Sequence, residues 1–348
     1  MSEETFAASL DRSKKISADL EKNPSKYTCL TGDRPTGHLH IGHYFGSIQE
    51  RVRLQNLGVK TYLLIADLQV ITDRENTENV HEFFRSNVLD YLAAGIDPKK
   101  TVIFAHSQIP ALNELFIPFL SLVSEAELHR NPTVKSELEA SKRGLSALLL
   151  TYPIHQAADI LFCKSNIVPV GRDQLPHIEI TRTLARRFNE RYSPLFPEPH
   201  GLLTNSPLIP GLDGRKMSKS YNNSIQLSFT PEETLKLIKG AKSDSERKIT
   251  YDPENRPEIS ALLTTAALTS GRSEESIAEE IGDAGAGALK EFAAKSVNEY
   301  FAPFRQKRKE LEIDKSFISD IIEEGCKKAN EIANQTLEEV KSAMGLKY

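Results

Sequence analysis

Two histidines three residues apart, His40 and His43, enclose Ile41 and Gly42 at the end of Thr31-Gly-Asp-Arg-Pro-Thr-Gly-His-Leu-His40. An apolar run precedes this stretch and a helical pattern follows it, so the pair falls where a strand gives way to a helix. Free backbone N–H groups and the positive end of the helix dipole favour a bound phosphate there. At that spacing both imidazoles share one side of the first turn and can donate hydrogen bonds to phosphate oxygens. Gly42 lets a flat ring approach the backbone. A second group is Gly211-Leu-Asp-Gly-Arg-Lys216-Met217-Ser218-Lys219-Ser220. Glycine and serine loosen this loop. Lys216 and Lys219 present point charges suited to closing over a triphosphate and stabilising a leaving pyrophosphate. Taken singly, each group has a plainer reading: surface histidines at a helix start, and a solvated basic linker. A third feature is Asp159, which follows two alanines on an otherwise apolar helical stretch. A carboxylate is costly there without a partner, which an internal ion pair or a cap would also supply.

These groups need a frame, and the hydrophobic pattern supplies one. Apolar runs without alternation occur at residues 27–31, 61–66, 101–105 and 167–170. Helical patterns cover about 41–57, 80–94, 155–163 and 174–192. Buried strands separated by helices predict an α/β fold, a doubly wound, Rossmann-like parallel sheet with its ligand at the carboxyl ends of the strands. A proline- and glycine-rich stretch at 194–214 marks a boundary. Beyond it Thr230 reads as an N-cap, with Pro231 at the first helical position and Glu233 three residues after the cap. Helical patterns then recur at 258–268, 273–281, 289–312 and 316–344, which predicts an all-helical second domain. The expected division is an N-terminal extension at 1–26 with one helix, a catalytic domain at 27–226 and a helical domain at 227–348. The last helix is free to pack back on the catalytic domain.

Composition narrows the function classes. The 348 residues are 39% hydrophobic and 26% charged, enough for a sizeable core. No run approaches the roughly 20 apolar residues of a membrane span, which excludes a membrane protein. With 44 basic against 48 acidic residues the chain has no overall basic excess, which argues against coating DNA and leaves room for a local basic face. Cys29, Cys163 and Cys326 are too scattered for a disulfide framework or a zinc or iron–sulfur site, and a reducing cytoplasm is the expected home. Residues 1–26 lack the apolar core of a signal peptide. There is no tryptophan, although Phe and Tyr number 15 and 10.

The two phosphate-directed groups together carry more than either alone. HIGH near the start of an α/β domain and KMSKS at its far end resemble the paired signatures of class I aminoacyl-tRNA synthetases, which meet around ATP in that family. The resemblance runs from Thr31 through nearly all the remaining chain. Further stretches are similar to the bacterial tryptophanyl-tRNA synthetases: Asn131-Pro-Thr-Val-Lys135, Leu150-Thr-Tyr152-Pro, Gln156-Ala-Ala-Asp159-Ile160, Val168-Pro-Val-Gly171-Arg-Asp173-Gln174, Ile178-Glu-Ile-Thr-Arg182 and Ser342-Ala-Met-Gly345-Leu. The tyrosine enzymes share the architecture but differ at the G-x-D-Q segment. A tyrosine–tRNA ligase and a non-catalytic relative that binds tRNA or protein are the alternatives.

The resemblance implies a tryptophan–tRNA ligase using ATP as substrate, with Mg²⁺ held on the ATP phosphates and no dedicated metal site. It also implies tRNA(Trp) and L-tryptophan as partners, a homodimer, and a helical domain that reads the anticodon. Residue by residue it gives His40, His43, Lys135, Lys216 and Lys219 to catalysis. ATP contacts are Arg34, Gly42, His43, Gly171, Asp173, Lys216, Met217 and Ser218; tryptophan contacts are Tyr152, Gln156, Asp159 and Gln174. Chemistry agrees at Asp159, because the indole N–H is only a donor and a carboxylate only an acceptor. Phenylalanine would leave that acceptor unpaired. The chain departs from many relatives at Arg34 (glutamine there), Gln69 (histidine) and Gln156 (methionine), and with Cys326 alone in the helical part it cannot carry the four-cysteine cluster some relatives have. Lys236, Lys239 and Lys242, along one helical side, and Arg305, Lys307, Arg308 and Lys309 are the candidates to meet tRNA.

Overall fold

The computed structural model describes residues 3–72, 77–135, 146–203, 209–217 and 221–348. Five strands form one sheet: β1 (Thr28–Asp33), β2 (Lys60–Ile65), β3 (Thr101–Ala105), β4 (Ile167–Val170) and β5 (His200–Leu203). Their order is β3-β2-β1-β4-β5 and every pairing is parallel. The chain winds outward from β1 to β3, then returns to the other side of β1 for β4 and β5. That reversal opens a crevice at the carboxyl ends of β1 and β4. Tyr62, Leu63, Ile103 and Phe104 are buried because helices cover both faces, as a parallel sheet requires. The doubly wound, Rossmann-like expectation holds.

Helices follow the periodicity with instructive differences. The helix expected at 41–57 is three pieces: α2 (Ile41–His43), a π-helical stretch Tyr44–Ile48 and α3 (Gln49–Leu57). After α4 (Val80–Ala93), α5 (Pro110–Leu120) was not expected; its sequence is apolar nearly all round, so no amphipathic stripe marks it. The short α6 (Glu125–Arg130) follows, with a Ser124–Glu127 capping box. α7 (Ala147–Leu161) starts well before the predicted 155, its N-cap Ser146 accepting from Leu149 N at 3.0 Å. α8 (Leu175–Arg191) agrees with the prediction. β5 lies inside the stretch read as a boundary, since only four residues, one a glycine, form the strand.

Both outer strands of the sheet are covered. Along β5 runs α1 (Glu3–Leu20), whose Ser13 Oγ accepts the Leu203 N–H at 2.9 Å while Ile16 and Leu20 pack with Cys29, Ile167 and Leu202. Along β3 runs α13 (Lys315–Ala343). Its approach is so close that a Cβ on Gly325 would sit 1.8 Å from the Ile103 carbonyl oxygen. Ala105 N–H donates to Cys326 Sγ at 3.5 Å, and Thr336 Oγ1 donates to Phe162 O at 2.6 Å.

The remaining helices are α9 (Pro231–Lys239), α10 (Pro257–Ser270), α11 (Glu274–Ile281) and α12 (Gly285–Ile313). Thr230 caps α9 in a capping box with Glu233. α12 packs on α9, α10 and α4. It also meets the π-helical stretch in an aromatic cluster: Tyr44 lies 5.0 Å from Phe301 and Phe45 lies 5.4 Å from Tyr300 between ring centroids. Each such pair adds about 0.5–1.5 kcal/mol beyond area burial.

Candidate active site

α7 presents Tyr152, Gln156 and Asp159 at the i, i+4, i+7 spacing that puts side chains on one helical face. That face forms one wall of a cavity of about 390 Å³ at the carboxyl ends of the strands. Thr31–Arg34 at the end of β1, and Val170, Gly171 and Gln174 at and just after the end of β4, add to the lining. A larger but shallow groove between Ser121–Ser124 and Arg187–Arg191 shares none of these residues. Among the described residues no cluster of three or more His, Cys, Asp or Glu could hold a metal ion.

The polar groups of the cavity have specific partners. Tyr152 Oη lies 3.0 Å from His177 Nε2, in the first turn of α8. Gln174 Nε2 donates to Asp173 Oδ2 at 3.1 Å. Asp159 is buried, and its Oδ1 is fully enclosed with no hydrogen bond, 3.3 Å from Nε2 of buried His106. Burial pushes its carboxyl well above the usual range. Asp33, at the mouth of β1, accepts from Arg51 Nη1 and Tyr91 Oη, both at 2.5 Å. Burial opposes its ionisation, but the Arg51 guanidinium overrides it and holds the carboxyl below the usual range.

The two phosphate-directed segments also meet. His40 N–H donates to His43 Nδ1 at 3.1 Å, which leaves the proton of a neutral His43 on Nε2. His40 bridges to Gln226 in antiparallel fashion, and Ile41 N–H donates to Ile225 O at 3.0 Å. The segment at Ile225 and Gln226, after KMSKS, is thereby stitched to HIGH. Gly42 leaves room at this seam, since a Cβ there would lie 2.9 Å from His40 Nδ1 and 3.3 Å from Met217 Sδ and one of those side chains would have to shift.

Of the residues named from sequence, Arg34, Tyr152, Gln156, Asp159, Gly171 and Gln174 line the cavity. His40, Gly42, His43 and Met217 gather at the seam, while Lys216 is exposed beside it. Asp173 is exposed next to Gln174, and Lys135 is exposed and not among the lining residues. Ser218 and Lys219 lie outside the described residues. Sequence reasoning missed Asp33, Arg51, His106 and His177. Only their pairing across elements reveals them; Gln69, noted as a departure, bonds His155 Nδ1 at 3.0 Å.

Two candidates for the tRNA face are corrected. Arg305 is buried, donating to Asn298 Oδ1 at 2.6 Å and Thr234 Oγ1 at 2.8 Å. Arg308 is spent on Asp90 Oδ1 at 2.8 Å and Ser86 Oγ at 3.1 Å, joining α12 to α4. Both guanidiniums are internal struts, a fate that sequence cannot distinguish from exposure in a basic run. Lys242 does not share a helical side with Lys236 and Lys239, because α9 ends at Lys239. Lys236, Lys239, Lys307 and Lys309 are exposed.

A parallel sheet that reverses at its centre, with a crevice there, is the frame of the nucleotide-binding α/β folds. A family model described as tRNA synthetases class I (W and Y) matches residues 22–302, and the chain belongs to that family of aminoacyl-tRNA ligases. It is 40% identical over 338 residues to a tryptophan–tRNA ligase of Lactococcus lactis, covering 93% of this chain and 99% of that one. A tryptophan–tRNA ligase of Thermotoga maritima is 39% identical over 327 residues, covering 92% and 99%. Among solved structures, a Campylobacter jejuni tryptophanyl-tRNA synthetase complexed with ADP and tryptophan superposes with a TM-score of 0.80 at 31% identity, covering 92% of this chain and all of that one. Within the family, the chain's kin are thus the tryptophan–tRNA ligases, and the tyrosine reading has less behind it. No described helix is long and apolar enough to cross a membrane.

Proposed function

We infer that the chain joins tryptophan to tRNA with ATP as the second substrate, in two steps. The carboxylate of tryptophan attacks the α-phosphorus of ATP in line, and the bond to the β-phosphate oxygen breaks to release pyrophosphate. A ribose hydroxyl of the terminal adenosine of tRNA(Trp) then attacks the acyl carbon and releases AMP. No protein nucleophile is required, so the protein contributes position and electrostatics. Asp159 accepts the indole N–H, Gln156 lines the indole's side, and Tyr152 and Gln174 hold the ammonium group. Gly171 and Asp173 face the adenylate ribose, and Arg34 and Gly42 border the nucleotide. His40 and His43 stabilise charge on the phosphates. Lys135, Lys216 and Lys219, with Met217 and Ser218 beside them, serve the β- and γ-phosphates and the departing pyrophosphate. Mg²⁺ arrives as part of the substrate, on phosphate oxygens and water.

The observation that carries this reading is Asp159, a carboxyl buried on the face of α7 that lines the cavity, its enclosed Oδ1 without a hydrogen bond among the described residues. A donor-only indole N–H satisfies it, and a phenyl ring cannot. The enzyme acts in the cytoplasm as a homodimer. Residues 27–226 carry catalysis and 227–348 meet the tRNA through Lys236, Lys239, Lys307 and Lys309. The test is ATP–pyrophosphate exchange across all twenty amino acids. Exchange with tryptophan alone is expected; exchange with tyrosine alone, or with none, would overturn the reading.

A further inference from the structure

Behind Asp159 stands His106, in the turn that follows β3, with its side chain fully enclosed. Its Nε2 lies 3.3 Å from Asp159 Oδ1. Neither ring nitrogen of His106 nor that oxygen has a hydrogen bond among the described residues, although Nε2 and Oδ1 stand within hydrogen-bonding distance of each other. A buried pair of this kind is costly unless the two groups serve each other or a third.

The imidazole is held in place. It packs against His155 with 4.4 Å between ring centroids. His155 is in turn pinned between Gln69 Nε2 on its Nδ1 and Asn113 Oδ1 on its Nε2, both at 3.0 Å. With the Gln69 amide donating, His155 keeps its proton on Nε2 and gives it to Asn113. Burial brings His155 down to about 4; burial first, and then His155, brings His106 down to about 3. A neutral His106 has one N–H to place, and Asp159 Oδ1 is 3.3 Å from Nε2, close enough that a small turn of the ring or the carboxyl completes the hydrogen bond. Since Oδ1 is the enclosed oxygen and Asp159 lines the cavity, Oδ2 is the oxygen available to a ligand.

We propose that His106 is a positioning residue for tryptophan recognition: its Nε2–H fixes Oδ1 of Asp159 and so aims Oδ2 at the indole N–H. This rests on Asp159 being the indole acceptor. Selectivity for an N–H donor then belongs to the pair. Without the imidazole the carboxyl turns within its pocket, and binding of tryptophan suffers while transfer to the α-phosphate does not.

The experiment is steady-state ATP–pyrophosphate exchange with tryptophan and with 3-(benzothiophen-3-yl)alanine, where sulfur replaces the indole N–H. The native enzyme should prefer tryptophan in kcat/KM by about 10²-fold or more. His106→Leu should raise the KM for tryptophan by about 10-fold or more, leave kcat and the KM for ATP within a few-fold, and collapse the preference. His106→Gln, which keeps a donor of similar reach, should restore it. Asp159→Ala separates the two ideas. If it keeps the preference, the indole-acceptor reading fails. If it loses the preference while His106→Leu keeps both the native KM and the preference, the His106 proposal is overturned. Should His106→Leu not fold, His106→Asn, whose amide falls short of Asp159, replaces it; preference equal to that of His106→Gln would refute the proposal.

Discussion

Buried ionisable side chains set the behaviour of this protein at the residue scale. His106, His155 and His177 are held neutral by burial, at about 3, about 4 and about 4 respectively. The unfolded chain takes up their protons near pH 6.5, so stability falls as the pH drops from about 6.5 toward 4. Asp33, lowered against burial by Arg51, adds a loss below the ordinary carboxylate range of about 4. Asp159 works in the opposite sense: burial raises it, so its contribution is complete in acid and is lost as the pH climbs through its folded value. The urea midpoint should therefore decline steadily between pH 6.5 and 4; a flat profile would contradict the burial of the three imidazoles. Replacing Arg51, 4% exposed, by Ala strands the Asp33 carboxylate and should cost about 3–5 kcal/mol in urea unfolding. Lys219→Ala should slow adenylate formation by roughly 10²-fold in pyrophosphate exchange, comparable to deleting one preorganised donor. At this scale the sequence announced residues with a motif or an odd setting, such as Asp159 among alanines. It was silent on His106 and Arg51, whose meaning lies in partners 53 and 18 residues away, and Arg308 looked like one more surface charge.

Elements were legible in proportion to how cleanly their burial followed one period. β1 to β4 coincide with short, mostly apolar runs and appear within a residue or two of their expected limits. α7 was recognised by its chemistry before its length, because Pro153 inside the helix argues for a break that the surrounding packing overrides. α5 and β5 were missed for opposite reasons, one apolar nearly all round and the other too short and glycine-bearing. The seam of α13 against β3 is the least visible in sequence, since it depends on a single hydrogen atom at Gly325. Gly325→Ala would force a methyl into a backbone carbonyl that cannot yield. We expect a loss of about 1–3 kcal/mol or more, with faster amide exchange concentrated in β3. Unchanged exchange there would mean that α13 is not tightly seated.

The whole molecule offers its own probe. The chain contains no tryptophan, so indole emission from a purified sample comes from bound ligand. Titrating tryptophan into the enzyme should give a saturable change in that emission, excited at wavelengths where tyrosine is dark, and Asp159→Ala should weaken it. Emission that follows the ligand linearly, as in buffer, would contradict binding.

Order of synthesis decides when each side of the sheet is sealed. The helix that covers β5 precedes it by 190 residues, counted from Ser13 to Leu203, and is waiting when that strand appears. β3 has no such guardian: Cys326, which closes onto Ala105, follows it by 221 residues. At about 5–20 residues per second, the exposed row of N–H and C=O groups on β3 stands open for on the order of 10–40 s on the ribosome. The half of the sheet that is built first is thus the last to be protected, and a chain stalled before residue 315 would emerge with an adhesive strand at its flank.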